Sequence, residues 1–401
     1  MQSIIDSATG TTEFQYSKTG HLTYAKFGNG TVQHRTADKV GNLFDSPNKK
    51  DRTYNYRNRL EKKGNWHYKY DDVGNLIEKY KKKKGLFESK TQHWKYKWND
   101  AGMLQEVIRP DKEKVSFKYD PLGRRIRKVF KKTTTCWVWN GHVPLHEWKQ
   151  YQQRHYTDEG IRADKIVKHH KITWIFDEGS FIPSGKIKDG KQYAIITDHL
   201  GTPTQAYTST GEKIWEQELD LNGRVRSIVG KDGFCNIRFQ GQVYDDDIQL
   251  CYNRFRWYDD LDGRYISKDP IGLLSGEYGF YNYVGDSNGW VDPFGLTKTY
   301  HATSRSEAKQ KAKEHAAIPK YLKEDIPLER LNYTSRGINW ESMKSKQRTT
   351  RKTKLGEENK KNTQNYWEEH PDGHNDDHAL HHDSGHFHST SSSGESIIIT
   401  Y

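Results

Sequence analysis

One pattern of apolar and polar positions recurs along residues 1–130: an aromatic residue, a short polar turn holding a Gly, then one or two apolar residues in a charged strand. It appears as Tyr16-Ser17-Lys18-Thr19-Gly20-His21-Leu22, as Asp38-Lys39-Val40-Gly41-Asn42-Leu43 and as Tyr70-Asp71-Asp72-Val73-Gly74-Asn75-Leu76. It returns as Trp98-Asn99-Asp100-Ala101-Gly102-Met103-Leu104 and as Tyr119-Asp120-Pro121-Leu122-Gly123-Arg124-Arg125-Ile126. The glycines lie 21, 33, 28 and 21 residues apart. Each copy reads as strand, Asp/Asn/Gly turn, strand, which predicts a β-hairpin. Recurrence at this interval predicts stacked supersecondary units that bury their faces on one another.

Composition sharpens this picture. The 32% hydrophobic content is low for a globular protein and taken alone hints at disorder. Against that stand 13% aromatic residues and 33 glycines, which suit many short strands with one wet face and tight turns. A sheet wrapped around a wet interior would lower hydrophobicity without unfolding anything. The formal charge of +12 favours polyanions such as nucleic acid, though its spread along the chain also fits a solvated basic surface. Cys136, Cys235 and Cys251 are a sparse, odd set without CxxC spacing, which argues against a disulfide framework and a thiolate zinc site. No apolar run approaches the ~18 residues of a membrane span. Met1 is followed by neither a basic nor an apolar leader segment, so no signal peptide is expected.

Tyr-Asp-x-x-Gly-Asn/Arg-Leu/Ile resembles the YD repeat of Rhs proteins, teneurins and insecticidal Tc toxin C subunits, which implies a hollow β-shell. The stretch from Tyr193 to Leu296 adds Thr197-Asp198-His199-Leu200-Gly201-Thr202-Pro203, Phe239-Gln240-Gly241-Gln242-Val243-Tyr244-Asp245-Asp246 and Tyr252-Asn253-Arg254-Phe255-Arg256-Trp257-Tyr258-Asp259. Next come Asp262-Gly263-Arg264-Tyr265-Ile266-Ser267-Lys268-Asp269-Pro270-Ile271-Gly272-Leu273, Tyr281-Asn282-Tyr283-Val284 and Val291-Asp292-Pro293-Phe294-Gly295-Leu296. In that order they resemble the Rhs repeat-associated core. After Leu296 the composition changes to Ala/Lys/Glu-rich helix formers, Ala308 to Ala317 among them, and polar loops. The expected fold is therefore mainly β, a YD-repeat shell built from hairpins, followed by a small α+β C-terminal domain. The expected divisions are a hairpin array over 1–135, a core with a C-terminal plug over 136–296 and a variable toxin domain over 297–401.

Two Asp-Pro-x-Gly units begin at Asp269 and Asp292, and each has the residue preferences of a type I β-turn. Two carboxylates brought together cannot both ionise easily, which is the acid/base arrangement of aspartic proteolysis. Sequence alone does not bring them together across the 23 positions that separate them. The resemblance to Rhs and Tc C proteins implies that it happens: the core would act as an aspartyl autoprotease with Asp269 and Asp292 as the pair. The scissile bond would be Leu296–Thr297. Arg264 is the candidate supporting cation, with Lys268 as its alternative.

In the last 105 residues, 297–361 carry 17 Lys/Arg against 8 Asp/Glu, and 362–401 carry no Lys or Arg, 7 Asp/Glu and seven histidines. A basic platform beside a His-rich acidic segment suits a nuclease: cations hold phosphates, while His and carboxylates bind metal or move protons. Lys344, Lys346, Arg348, Arg351, Lys352 and Lys354 are the candidate nucleic-acid contacts. His374, His378 and Asp383 are candidate ligands of a divalent ion, Zn or Mg, and His381, His382, His386 and His388 are candidate catalytic groups. A helical turn over 378–382 would put His378, His381 and His382 on one face. His386 and His388 would share one face of a strand, with a turn at Ser391–Glu395 leading into a closing strand Ile397–Tyr401. Leu380-His381-His382 resembles the double-His motifs of HNH/endonuclease VII toxins attached to Rhs proteins. A metal-free RNase with two histidines as acid and base is the second mechanism, and the missing Cys pair argues against a zinc deaminase. The implied protein is secreted or delivered from the cell surface by a secretion apparatus component. Its nuclease would act on nucleic acid in the target-cell cytoplasm, opposed by an immunity protein encoded nearby. A non-enzymatic adhesion or carbohydrate-binding YD-repeat protein is the alternative from another class.

Overall fold

The computed structural model describes residues 2–6, 9–83, 89–156, 162–272, 279–296, 299–301, 310, 333–334, 337–338, 366–370, 386–390 and 396–400. The regular elements among them are β-strands throughout, as the hairpin pattern predicts. The predicted helix over 308–317 (Gln310 apart) and the helical turn over 378–382 lie outside the described residues. No helix among the described residues is long and apolar enough to cross a membrane.

The chain divides into two compact units: one holds 1–270, 279–288 and 293–296, the other 271–278, 289–292 and 297–401. The first unit is dominated by a 16-stranded antiparallel sheet from β7 (Arg52–Tyr54) to β22 (Val225–Gly230), whose spatial order is its sequence order. The expected division between 135 and 136 falls inside β15 (Thr133–Asn140), which pairs with β14 (Arg125–Phe130) and β16 (Val143–Tyr156) without a break. The hairpin array therefore continues well past the last copy recognisable as a repeat.

The recurrent motif builds its own turns. In the five copies the side chain of Ser17, Asp38, Asp71, Asn99 or Asp120 accepts a hydrogen bond from the amide four residues on, at 3.1, 2.9, 2.8, 2.9 and 2.8 Å. Asp198 and Asp220 close turns the same way, at 2.8 and 3.0 Å. This is the local capture of backbone donors that makes Asp and Asn turn residues. Gly74 shows why the fourth position is Gly: its φ is +105°, and a Cβ there would meet the Tyr281 hydroxyl at 2.7 Å.

Strands then alternate as a sheet with one wet face must. In β13 (Lys114–Tyr119), Val115 and Phe117 are buried while Lys114 and Lys118 are exposed. The buried set, including Leu60, Tyr68, Leu76, Trp94 and Leu104, packs against Ile248, Leu250, Tyr252, Trp257 and Ile266. Those partners come from a second, four-stranded sheet and its flanks: β23 (Val243–Asp245), β24 (Leu250–Asn253), β25 (Arg256–Asp259) and β26 (Arg264–Tyr265).

Buried ion pairs fasten the small sheet to the large one. Arg125 and Lys128 of β14 each reach Asp245 at 2.8 Å. Lys79 of β10 (Leu76–Lys83) lies 2.5 Å from Asp259 and 3.0 Å from Asp262, all three side chains being nearly inaccessible. Burial opposes the charge on Asp262, but Lys79, Lys63 and Arg52 outweigh it and hold its carboxyl well below the usual range. Burial and the neighbouring Asp262 push the Asp259 carboxyl up. Burial, reinforced by Asp259, pushes Asp260 up to about 7.

In the second unit, four strands form a sheet in the order β27 (Thr299–His301), β32 (Ser396–Thr400), β31 (His386–Thr390), β30 (Tyr366–His370). β27 runs parallel to β32 and the other neighbours are antiparallel. The predicted strand at His386–His388 and the closing strand thus form a hairpin, with the connection at 391–395 outside the described residues.

Candidate functional site

The small sheet places an arginine under the junction. β24 and β25 are joined by Arg254-Phe255, with Arg254 at φ +54° and Asn253 paired to Arg256. All four residues of β25 are buried, so Arg256 cannot carry its charge to water and must be paired. One of its terminal guanidinium nitrogens lies 3.1 Å from Asp269 Oδ2. Its Nε donates to the Gly295 carbonyl, and its other terminal nitrogen donates to the Phe280 carbonyl at 3.4 Å. The guanidinium lies 3.6 Å from the centre of the Tyr265 ring. A planar fork with five donors reaches a carboxylate and two carbonyls in different directions at once, whereas a lysine presents its three donors from a single nitrogen.

The segment before the junction is held along its length. The Phe255 amide donates to the Phe294 carbonyl at 3.1 Å, and the Phe294 ring packs edge-on against His142 and Phe181, 5.0 Å between centres in each case. Gly295 has φ +70°, and a Cβ there would stand 2.6 Å from the Asn253 carbonyl oxygen. Asp269 is 5% exposed, Leu296 5% and Asp292 1%. Arg256 thus links the carboxylate of one Asp-Pro-x-Gly unit to the carbonyl of the Gly that ends the other.

Arg264 is placed elsewhere. It donates to the Asn58 carbonyl at 2.6 Å and lies over the Tyr54 and Tyr281 rings at 5.0 and 4.8 Å. Lys268 lies over the Phe280 ring at 4.8 Å. The cation at Asp269 is Arg256, which the sequence contains within its aromatic Tyr252–Asp259 motif but which carries no mark of its partner. The signal available was an Arg in a strand with no polar face.

His386 and His388 lie on β31, in register with His370 and Glu368 of β30. Thr297, His374, His378, His381, His382, Asp383, Lys344, Lys346, Arg348, Arg351, Lys352 and Lys354 lie outside the described residues.

With an antiparallel meander on Asp/Asn-closed turns and a small sheet packed on it, the chain belongs to the teneurin YD-shell family, whose family model matches residues 1–273. It is 30% identical over 317 residues to double-stranded DNA deaminase toxin A of Burkholderia cenocepacia (strain H111), covering 74% of this chain and 21% of that protein. It is 29% identical over 319 residues to probable deoxyribonuclease RhsA of Dickeya dadantii (strain 3937), covering 73% of this chain and 21% of that protein. The chain therefore spans about a fifth of the length of these curated relatives. A crystal structure of TcdB2-TccC3-TEV is similar to it at a TM-score of 0.44 and 16% identity, over 71% of this chain and 17% of that one.

Proposed function

We propose that the chain is the C-terminal part of an Rhs polymorphic toxin used in bacterial competition. The β-shell encloses a payload, the junction cuts itself after Leu296, and residues 297–401 act as a nuclease. The observation that carries this reading is the buried Arg256, which holds Asp269 and the Gly295 carbonyl together beside the Leu296–Thr297 bond.

In the proposed cleavage, Asp269, ion-paired with Arg256, takes a proton from water. The water oxygen bonds to the Leu296 carbonyl carbon, and Asp292 gives its proton to the Thr297 nitrogen as the peptide bond breaks. The products are a Leu296 carboxyl group and a free Thr297 amine. Arg256 is a positioning residue: it fixes one carboxylate and the backbone one residue before the bond, which is where orientation lowers the barrier.

The nuclease reading rests on the basic stretch 297–361 and the His-rich remainder; His374, His378 and Asp383 would hold a divalent ion, which would supply an activated water. The double-His stretch at His381-His382 supports an HNH/endonuclease VII-type site. Relatives named as a DNA deaminase toxin and a deoxyribonuclease favour DNA as the first substrate to assay. Delivery by a secretion apparatus to a target cell, and neutralisation by a nearby immunity protein, complete the proposal.

The test is digestion of plasmid DNA, tRNA and rRNA by the purified chain with Mg2+, with Zn2+ and after exhaustive chelation. Degradation of DNA that chelation abolishes is expected. Intact substrates under every condition overturn the nuclease assignment, and activity that survives chelation overturns its metal dependence.

A further inference from the structure

Residues 293–296 of the first unit are held as a bound peptide is, one position at a time. At Pro293 the contact is with a glycine: Gly241 has φ +77°, and a Cβ on it would run into the Pro293 carbonyl. Gly295 is restricted in the same way by the Asn253 carbonyl oxygen. Between the two, the Phe294 carbonyl accepts from the Phe255 amide at 3.1 Å. The Phe294 ring meets His142 at 82° and Phe181 at 84°, with 5.0 Å between centres in each case. Phe294 is 9% exposed.

The two ring partners come from turns of different hairpins, and each turn is fixed by contacts that do not involve Phe294. His142 follows Gly141 in the turn between β15 and β16, where Arg124 donates to the Gly141 carbonyl at 3.0 Å. Phe181 lies in the turn between β17 (Arg162–Phe176) and β18 (Pro183–Lys188). There the Asp177 amide donates to the Ile182 carbonyl at 2.9 Å and the Ser180 amide to the Asp177 carbonyl at 3.1 Å. The Ile182 amide donates to the Ser180 hydroxyl at 3.1 Å. Edge-on pairs set the positive edge of one ring against the negative face of another. Two such pairs on one ring fix its orientation as well as its depth, and an aliphatic side chain offers neither edge nor face.

We propose that this seat is a recognition site for a peptide segment in which an aromatic residue precedes Gly, with His142 and Phe181 as the residues that select the aromatic side chain. The same two residues line a crevice with Trp139, Phe176 and Pro293, so the surroundings are apolar beyond the Phe294 ring itself. A buried aromatic anchor in a preformed pocket is where peptide recognition concentrates its energy. Selection at the next position is by the absence of a side chain, because the Asn253 carbonyl leaves no space for one. A slip of one residue would put Pro293 or Gly295 between the two rings and lose both edge-on pairs. The clamp therefore sets the register of the chain. What that register does rests on the self-cleavage reading: it decides that the Leu296 carbonyl, two residues on, is the one attacked. That the seat reads residue 294 does not rest on it.

The test is the rate of cutting after Leu296 on denaturing gels, read beside hydrogen exchange at the Phe255 amide of the full chain. That amide reports the seat through its bond to the Phe294 carbonyl, whether or not the chain is cut. One edge-on pair corresponds to roughly 2–12-fold in either readout. His142→Ala and Phe181→Ala should each slow cutting and speed exchange by that factor, and Phe294→Ala by roughly 5–150-fold, the product of two pairs. Phe294→Leu keeps apolar bulk without a ring and should also cut slowly, whereas Phe181→Tyr keeps the ring and should match wild type. Adding Phe181→Ala to Phe294→Ala should change neither readout further, a coupling that general loss of fold does not produce. Phe181→Leu takes the place of Phe181→Ala if the latter loses its near-UV circular dichroism. Wild-type cutting and exchange in Phe294→Leu and the Phe181 variants, or effects that add in full in the double variant, overturn the proposal. A chain that is never cut but shows the coupled exchange supports the seat and counts against self-cleavage. A chain that is cut at a rate indifferent to residue 294 overturns the seat and leaves self-cleavage standing.

Discussion

Lys79→Met is the perturbation that tests how the small sheet is held. The Lys79 ammonium sits 2.5 Å from Asp259 and 3.0 Å from Asp262, with side chains 7%, 3% and 3% exposed. Met keeps most of the volume and removes the charge, leaving two carboxylates with no water to take them. Removing one partner of a buried ion pair costs about 3–5 kcal/mol. For a unit of this size roughly 2 °C of melting temperature accompanies each kcal/mol, so a drop of about 6–10 °C is expected. The pH dependence has a defined sign. Asp262 is held below its ordinary value, so its contribution is present above the unfolded carboxyl value of about 3.9 and fades as pH falls through the folded one. The variant should therefore lose less stability on acidification than wild type. Adding Asp259→Asn should recover a large part of the loss, because Asp262 keeps Lys63 at 3.4 Å and the Arg52 field. Thermal melts followed by near-UV circular dichroism, from pH 3 to 7, make the measurement. A Lys79→Met variant that melts with wild type, or a double variant less stable than the single, would refute the ion cluster as the fastening.

Gly295→Ala places a Cβ 2.6 Å from the Asn253 carbonyl at φ +70°, at a cost of about 1–3 kcal/mol of local strain; a lowered melting point and slower self-cleavage on a denaturing gel are expected together. Asp260→Asn removes a carboxyl that burial pushes up to about 7. A raised acid weakens the fold as pH rises from about 4 to 7, so the variant's advantage should grow across that window and level off above it, read from denaturation midpoints at each pH. Arg256→Lys keeps the charge and loses the fork, so cleavage should slow while the fold survives. Arg256→Lys cutting as fast as wild type would remove the positioning role.

The hairpins were legible because their chemistry is local: an Asp or Asn that captures the amide four residues on, and a Gly with positive φ, can be read from five consecutive letters. Asp198 and Asp220 close turns the same way but lie within 136–296, the stretch that the sequence motifs mark as the core. The array therefore looked shorter than the 16-stranded sheet it forms. Contacts distant along the chain left no such trace. Arg256 meets Asp269 and Gly295 across 13 and 39 residues, whereas Arg264, the supporting cation expected from sequence, donates to the Asn58 carbonyl. Lys79 and Asp259 are 180 residues apart. On the C-terminal sheet the period of two was readable at His386 and His388. Their partnership with His370 and Glu368 depends on register, which only the assembled sheet defines.

The most direct test of the central claim is the intact mass and N-terminal sequence of the purified chain beside its Asp292→Asn and Asp269→Asn variants. Wild type should separate into 1–296 and a 105-residue fragment beginning at Thr297, with both variants remaining whole at 47.0 kDa. A wild-type chain that stays intact, or a variant still cut between Leu296 and Thr297, would contradict self-cleavage by this carboxylate pair.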